Sequence, residues 1–475
     1  MRVGLFRNDL LDECPCGIGG AFQIVPFGGQ STEEKGLANY FLPAGCVNGS
    51  IQVREGSRAQ GPNTAPDEGL ENNKNVDSLH LNIQTVNGTF NSRIKLEPQQ
   101  SMFGVGINYK QRFSLDSSNY TNWWGAISFP ITYVKNKMNL EEHIFDNGGG
   151  SDGEIGLSNT RHAANVTEAF RQKNMKYGRI DDRCDMSKWG VADIELKLGY
   201  TTISNECCRL NSYVGAVIPT GNKPNARYVF EPIVGNNKHF GLMFGNSLTL
   251  CFWEKQCQSL TFNIDTNYRY LFSNHQLRSF DLIDKQWGRY MELYKNKEQA
   301  LEAERLSEPL RDNIGVFGIN ELTLCAEVTP RFSCDINTGF IYAYDRPDDT
   351  RLLVEAGYNF YASQAEEIQL NRTYIEYNLK AASGEGATTR ARTIKSNFSR
   401  SVYETANYKP LSLCDIDLSS AAHPSILSST IYGTIGYEWN KECPRFIGIG
   451  GSYEGSNSNA VLQKFQVWGK CGLTF

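Results

Sequence analysis

The stretch TFNIDTNYRYLF, Thr261 to Phe272, decides how this chain folds. Phe262, Ile264, Thr266, Tyr268, Tyr270 and Phe272 occupy its even positions, and Asn263, Asp265, Asn267 and Arg269 four of its odd ones. Successive side chains of a strand point to opposite faces, so one face is oily and aromatic and the other polar and charged. A soluble sandwich would bury the oily face and wet the polar one. A membrane barrel reverses the assignment, with oil outside and polar groups inside.

The alternation recurs along the chain. ADIELKLGY (192–200) sets Ile194, Leu196, Leu198 and Tyr200 against Asp193, Glu195 and Lys197. FGVGINYKQRF (103–113), WWGAISFPITYV (123–134) and HFGLMFGNSLTLCFWE (239–254) follow the same rule, as do 18–28, 78–86, 90–98, 206–219, 317–331, 334–344, 351–363, 428–440, 444–454 and 461–475. These segments and the opening stretch make fifteen strands, and NRTYIEYNLK (371–380) supplies a sixteenth. Bacterial barrels carry an even number of strands, which favours sixteen and leaves fourteen as the alternative. Asn-Gly in VNGT (86–89) punctuates a hairpin. Long connections fall near 29–77, 135–188, 220–237, 275–316 and 380–427 and mostly alternate with short turns, the asymmetry of extracellular loops and periplasmic turns. One barrel domain over 1–475, with 1–16 as an N-terminal periplasmic segment, is the organisation expected.

The totals agree with an all-β chain. Among 475 residues 12% are aromatic and 44 are glycine, while mean hydropathy is −0.43. No apolar run approaches the ~20 residues of a spanning helix, whereas a barrel strand needs only ~9–11 alternating ones. The net charge of −5 gives no basic footprint for nucleic acid. Several strands exceed the ~5–6 residues usual in soluble sheets. Trp123, Trp124, Trp189, Trp253 and Trp439 lie near strand ends, where interfacial girdles would sit.

The polar phase holds Arg93, Lys95, Lys110, Arg112, Lys197, Arg269, Arg331, Lys464 and Lys470, with Glu97, Asp193, Glu195, Asp265, Glu321, Glu327, Glu355 and Glu438. In a barrel these charges line the pore, and with both signs present they predict weak ion selectivity, since strong selectivity needs a ring of one sign. YMELYKNKEQALEAERL (290–306) and NVTEAFRQK (165–173) are helical by composition and sit inside loops, as surface helices or as a segment folding into the pore.

The last residues are the most specific. QKFQVWGKCGLTF ends on Phe475, with Leu473, Cys471, Val467 and Phe465 in the same phase. This resembles the insertion signal that the barrel-assembly machinery reads in bacterial outer-membrane proteins. DIDLSSAAHPSILSSTIYGTIGYEW (415–439) with its following hairpin is similar to the closing hairpins of porin-like barrels. The resemblance is to an outer-membrane β-barrel of porin type. It implies a bacterial outer-membrane location with lipid around the barrel, a presumed signal peptide removed from this chain, and a possible homo-oligomer. IPTGNKPNARYVFEPIVGNNKHFGLMFG (218–245) looks like a long surface loop of such a barrel.

Thirteen cysteines without metal-site spacing fit an oxidising envelope compartment. Cys251 and Cys257 flank a tight turn in the same phase and are the candidates for a cross-strand disulfide; Cys207/Cys208 and Cys14/Cys16 could reach partners. The cysteine content is similar to that of disulfide-linked porins of obligate intracellular bacteria. No Walker A, GxSxG or HExxH motif accompanies the six histidines, so neither an enzyme, a cofactor nor a metal is expected. DNGGGSDGE (146–154) lacks full calcium-loop spacing. Passive diffusion of small hydrophilic solutes is the function expected. A disulfide-linked structural envelope protein and a substrate-specific uptake channel with a plug are the alternatives.

Overall fold

The computed structural model describes residues 19–475 apart from 55–74, 84–89, 114–122, 149–162, 295–315, 371–392, 396–407 and short gaps at 33, 44–45, 47, 82, 184–185, 206, 284–286, 412 and 440–442. Twelve strands pair antiparallel, each with its neighbours in sequence, around one closed sheet. They are β1 (Gly20–Ser31), β2 (Gln99–Phe113), β3 (Trp123–Lys137), β4 (Ile194–Ser204), β5 (Cys208–Ile218), β6 (Gly241–Lys255), β7 (Gln258–Leu271), β8 (Arg331–Asp345), β9 (Thr350–Ser363), β10 (Ile426–Trp439), β11 (Arg445–Gly455) and β12 (Lys464–Thr474). The ring closes where β1 meets β12, and there Gly20 and Phe475 exchange backbone N–H···O bonds of 2.9 and 3.0 Å.

A further strand, Met186–Val191, continues β4 along the edge of β3. The register slips by one between Ile131–Val191 and Ser128–Glu195, which puts a bulge at Ala192–Asp193. Pro130 lies opposite, and its carbonyl accepts from Ala192 N at 2.8 Å.

The alternation of the opening stretch settles as oil outside. Asn263, Asp265 and Asn267 are buried inside the ring, whereas Ile449 is 69% exposed, Val214 62% and Ile431 62% on the outer face. Phe103, Leu198, Phe244, Phe340, Ile435 and Val467 continue that apolar band. Trp123, Trp189 and Trp253 are exposed towards its margins. This is a β-barrel of the outer-membrane type.

The strand number corrects the expectation of sixteen or fourteen. Segments 78–86, 90–98 and 317–331 are not wall. They form a 3₁₀ turn (Ser78–Leu81), the strand Asn91–Lys95, and a short helix (Gly318–Glu321) followed by the strand Thr323–Thr329. These strands fall short of the ~9–11 residues a tilted span needs. Their alternation also has the opposite sense, because Phe90, Ile94, Leu96, Leu324, Ala326 and Val328 are buried against other loops. Segment 371–380 lies outside the described residues.

The connections on one end, 32–98, 138–185, 219–240, 272–330 and 364–425, build a cap with small sheets of its own. One sheet joins Ser50–Arg54 and Asn91–Lys95 to Glu141–Asp146 of the next connection; another joins Asn274–Ser279, Thr323–Thr329 and Glu367–Gln369. Ile51, Ile94, Met138, Phe170, Trp287 and Ile319 belong to a single apolar cluster. The helix Val166–Ala169 of segment 165–173 packs there too, capped by Asn165; most of 290–306 lies outside the described residues. The opposite end carries short turns, such as Gln256–Cys257 and 346–349.

The disulfide expected between Cys251 and Cys257 is not formed, and the ten described cysteines are free thiols. The residue across from Cys251 is Thr261, while Cys257 sits in the turn itself. At ~3.4 Å per residue along the strand, that separation exceeds disulfide reach. Cys14 and Cys16 lie outside the described residues.

If the outer band meets hydrocarbon, Ile449→Lys places an ammonium at mid-band and lowers barrel stability by about 2–4 kcal/mol. Urea unfolding in lipid vesicles checks this, with Lys464→Ile on the inner face as the comparison.

Candidate functional site

Polar strand positions converge on a cavity of about 560 Å³ inside the barrel. Lys110, Lys197, Arg209, Arg269, Arg351 and Lys464 line it with Asp193, Glu195, Asp265, Glu355 and Glu454. The near balance of signs leaves no single-sign ring. Of the charges expected in the pore, Lys110, Asp193, Glu195, Lys197, Asp265, Arg269, Glu355 and Lys464 are at the cavity. Glu438 and Lys470 are buried in the inward phase beyond it, and Arg112 continues that phase near the short-turn end.

The other expected pore charges lie elsewhere. Arg93 stands 5.4 Å from the Phe145 ring in the cap, and Lys95 pairs with Glu97 there. Glu321 ends the short cap helix, and Glu327 accepts from Ser273 Oγ at 2.6 Å. Arg331 opens β8 with φ +66° and donates to Ala365 O at the rim. Each belongs to, or adjoins, a segment whose oily face is buried in a loop core, so its polar phase meets the cap surface or rim.

Charge pairs also bridge strands that are not neighbours in the wall. Arg269 of β7 bonds Glu195 of β4, two strands lying between them in the wall, and Lys197 Nζ meets the same carboxylate at 3.1 Å. A second group joins three strands: Asn337 Nδ2 donates to Tyr432 OH at 3.1 Å, and that hydroxyl donates to Glu355 Oε1 at 3.0 Å. Tyr432 lies flat over Gly357, where a Cβ would come within 2.2 Å of its ring. Trp124 lies similarly over Gly199, with Lys110 Nζ 4.5 Å from its ring. Trp124 is therefore a lumen residue and not part of the girdle expected for it.

The lumen has two characters. Towards β4–β8 it presents charges and amides. Towards β1 and β12 it adds Val25, Phe27 and Trp468, packed with Tyr432, beside Lys464 of β12. The side-chain oxygens of Asn263 and Asn337 and the indole N–H groups of Trp124 and Trp468 have no protein partner at this cavity. Buried polar groups require partners, so these atoms are ready to hydrogen-bond water or a solute.

The connection 219–240 narrows the cavity. It runs inward, so Ile233, Val234, Gly235 and Asn236 join the lining. Asn136 Nδ2 donates to the carbonyls of Phe230 and Glu231 at 3.2 and 3.1 Å. The Ala192–Asp193 bulge turns Asp193 to accept from Asn236 N at 2.7 Å. Gly235 has φ +85°, and a Cβ there would approach Asp193 Oδ1 to 2.8 Å. The stretch expected to be a surface loop thus also supplies lumen lining.

Side chains also tie the loops together at the mouth. His239 Nδ1 lies 2.7 Å from Phe272 O, and its Nε2 lies 2.7 Å from Gln276 Nε2. The neutral ring protonated on Nδ1 satisfies both contacts, donating to the carbonyl and accepting from the amide. Arg278 Nη2 donates to Gln276 Oε1 at 3.0 Å and to Glu366 at 3.1 Å, whose other oxygen accepts from His423 N.

Sequence reasoning passed over Arg209, Arg351 and Glu454, although Arg351 shares a phase with Glu355, already read as polar. It also passed over Phe27, Tyr432 and Trp468, because an aromatic residue in the inward phase gives no polar signal. Among the described residues no three His, Cys, Asp or Glu side chains could hold a metal ion. Asp146 accepts from Gly148 N, and the rest of 149–154 lies outside the described residues.

No protein-family model matches this chain, and no curated protein does. Solved structures with similar shape include an outer membrane channel from Pseudomonas putida F1, at 9% identity and TM-score 0.41, covering 99% of this chain and 100% of that one. The beta domain of the Bordetella autotransporter BrkA follows at 6% identity and TM-score 0.36, covering 96% and 99%. A Pseudomonas aeruginosa FadL homologue shows 8% identity and TM-score 0.29, covering 96% and 89%. With TM-scores this low, fold and lumen stand on the chain's own geometry.

Burial holds the His239 pKa below its ordinary value, although the carbonyl of Phe272 opposes the shift. A lowered folded-state value contributes stability that is complete above the unfolded pKa of ~6.5 and is lost as pH falls through the folded one. Acidification is expected to lower the amide protection factors, that is, exchange relative to its intrinsic rate at each pH, at 236–240 and 272–279. His239→Gln should remove that pH dependence.

Proposed function

We propose that this protein is a narrow, solute-selective channel of a bacterial outer membrane, passive and not enzymatic, and the substrate-specific rival of a wide diffusion pore. The observation that carries the reading is a lumen of about 560 Å³ into which the Arg269–Glu195 link projects and which the inward loop 219–240 narrows. Eight-stranded barrels fill with side chains and barrels of about sixteen leave open aqueous channels. Twelve strands stand between them, so the lining side chains decide what passes.

The chemistry of the lining supports small solutes with both a polar and an apolar part. Amides and balanced charges on one side hydrogen-bond the polar part, and Phe27, Tyr432 and Trp468 on the other give rings on which the apolar part stacks. Free thiols among the described cysteines lend no support to an intrachain cross-link at Cys251. The partners proposed are membrane lipid around the band and the barrel-assembly machinery, for which Phe475 and Leu473 are suitably placed. Both are exposed on the outer face at the closing seam. The proposal includes no nucleic acid and leaves self-association to measurement.

Single-channel recording in planar bilayers tests the reading. The expected result is small, weakly ion-selective steps, and Arg269→Ala should raise the conductance several-fold by removing the crossing side chain. Large porin-like steps in the unaltered protein would overturn selectivity. Silence from folded, heat-modifiable barrel would overturn the channel itself. Deleting Phe475 should reduce the yield of folded barrel in cells more than refolding in detergent.

A further inference from the structure

The ladder lacks one backbone donor where the wall closes. Pro26 lies at the middle of β1 in the outward phase and has no N–H to give to a neighbour. Along the β1–β12 seam, Ile24–Cys471 and Phe27–Trp468 are paired, but the intervening pairs Val25–Lys470 and Pro26–Gly469 drop out of the ladder. On the other side of β1 the pairing is continuous through Pro26–Val105. The interruption thus belongs to the seam. In hydrocarbon, where an unpaired backbone group is costly, such a break is a marked departure.

Outside this point of the seam lies an apolar groove of about 880 Å³, to which Pro26, Phe103, Ile449 and Val467 contribute. Outward-phase glycines of its lining leave the room. A Cβ built at Gly28, Gly433 or Gly469 meets no atom nearer than 3.8, 3.6 or 3.4 Å, which is ordinary contact. None of the three has a positive φ. Gly104, inside the wall, differs: its Cβ would come within 2.3 Å of Ile131 O. Packing therefore dictates the inner glycine, while the outer ones are free to carry side chains and leave a groove by carrying none.

The groove and the lumen share residues. Phe27, Glu355, Thr434 and Trp468 line both. Phe27 and Trp468 belong to the apolar cluster on the lumen side of the seam, so the apolar side of the cavity backs onto the broken ladder. The Trp468 indole N–H, buried and without a protein partner, can donate to a hydroxyl there.

We propose that the β1–β12 seam at Pro26 and Gly469 is a lateral portal, through which a small amphipathic aromatic molecule held in the lumen passes Phe27 and Trp468 into the surrounding hydrocarbon. The proposal rests on the channel reading and deepens it by naming the solute class and a second exit. Opening at this point breaks one ladder bond fewer than opening elsewhere along the seam, because Pro26 has no N–H to donate to Gly469 O.

The test uses the full chain in planar bilayers with 1-naphthol as probe, and compares the unaltered protein with Gly28→Leu and Gly469→Leu, which fill the groove, and with Pro26→Val, which restores the N–H. The unaltered channel is expected to show brief 1-naphthol blocks. The groove-filling variants should lengthen each block by about tenfold, corresponding to ~1.4 kcal/mol on the exit barrier, with open conductance unchanged. Equal block times in folded, heat-modifiable variants would overturn the portal while leaving the channel intact. A protein that passes no current overturns the channel reading, and amide exchange in lipid nanodiscs then tests the seam by itself. Fast exchange at Gly28 and Gly469, whose N–H groups face the seam, slowed by Pro26→Val, supports an opening seam; exchange as slow as at Ile447 and Ile449 overturns it.

Discussion

A closed backbone ladder is the condition on which the rest of this structure depends. An apolar outer face can meet hydrocarbon only if the N–H and C=O groups behind it find partners within the wall, and a ring of strands provides them without an edge. Here the ring is sealed by joining β1 to β12, down to the paired bonds between Gly20 and Phe475. Once closed, the period of two forces alternate side chains inward, and the polar half of each strand must share one narrow interior. The dense lumen follows from that crowding. Arg269, Glu195 and Lys197 meet there because the ring leaves their strands nowhere else to point.

The chain answers to two solvents with one pattern. In the wall, Ile431 and Ile449 face outward and Asn337 and Asn267 inward. In the cap, Ile94, Phe170 and Val328 are buried and the polar phase is outside, as in a soluble domain. Loops that share an apolar cluster are not independent arms: Ile51, Met138 and Ile319 come from three connections and pack in one core. That core is next to the mouth, where His239, Gln276, Arg278 and Glu366 link further loops. The mouth of the lumen is therefore tied to cap packing.

Proline and glycine mark where the wall departs from regularity. Pro130 lies opposite the bulge that aims Asp193 into the lumen to hold the loop at Asn236. Pro26 interrupts the seam. One departure turns Asp193 into the lumen and the other removes a ladder bond from the seam, and at each a proline supplies no N–H to the pairing.

The sequence by itself determined the local geometry: which residues are extended, which phase is oily, and that the chain ends in an outward aromatic strand. The twelve wall strands were all legible as alternating segments, and so were eight of the charges at the cavity, because a period of two fixes which side chains share a face. It could not determine which solvent an oily face meets. Ile94 and Ile264 sit in equally alternating runs, yet one packs in a cap core and the other faces out from the barrel, a choice made by segment length and by partners distant in the chain. The aromatic side of the lumen, the inward course of 219–240 and the separation of Cys251 from Cys257 were likewise decided only in three dimensions. Each depends on register between strands and on closure of the ring, and neither is a property of any one segment.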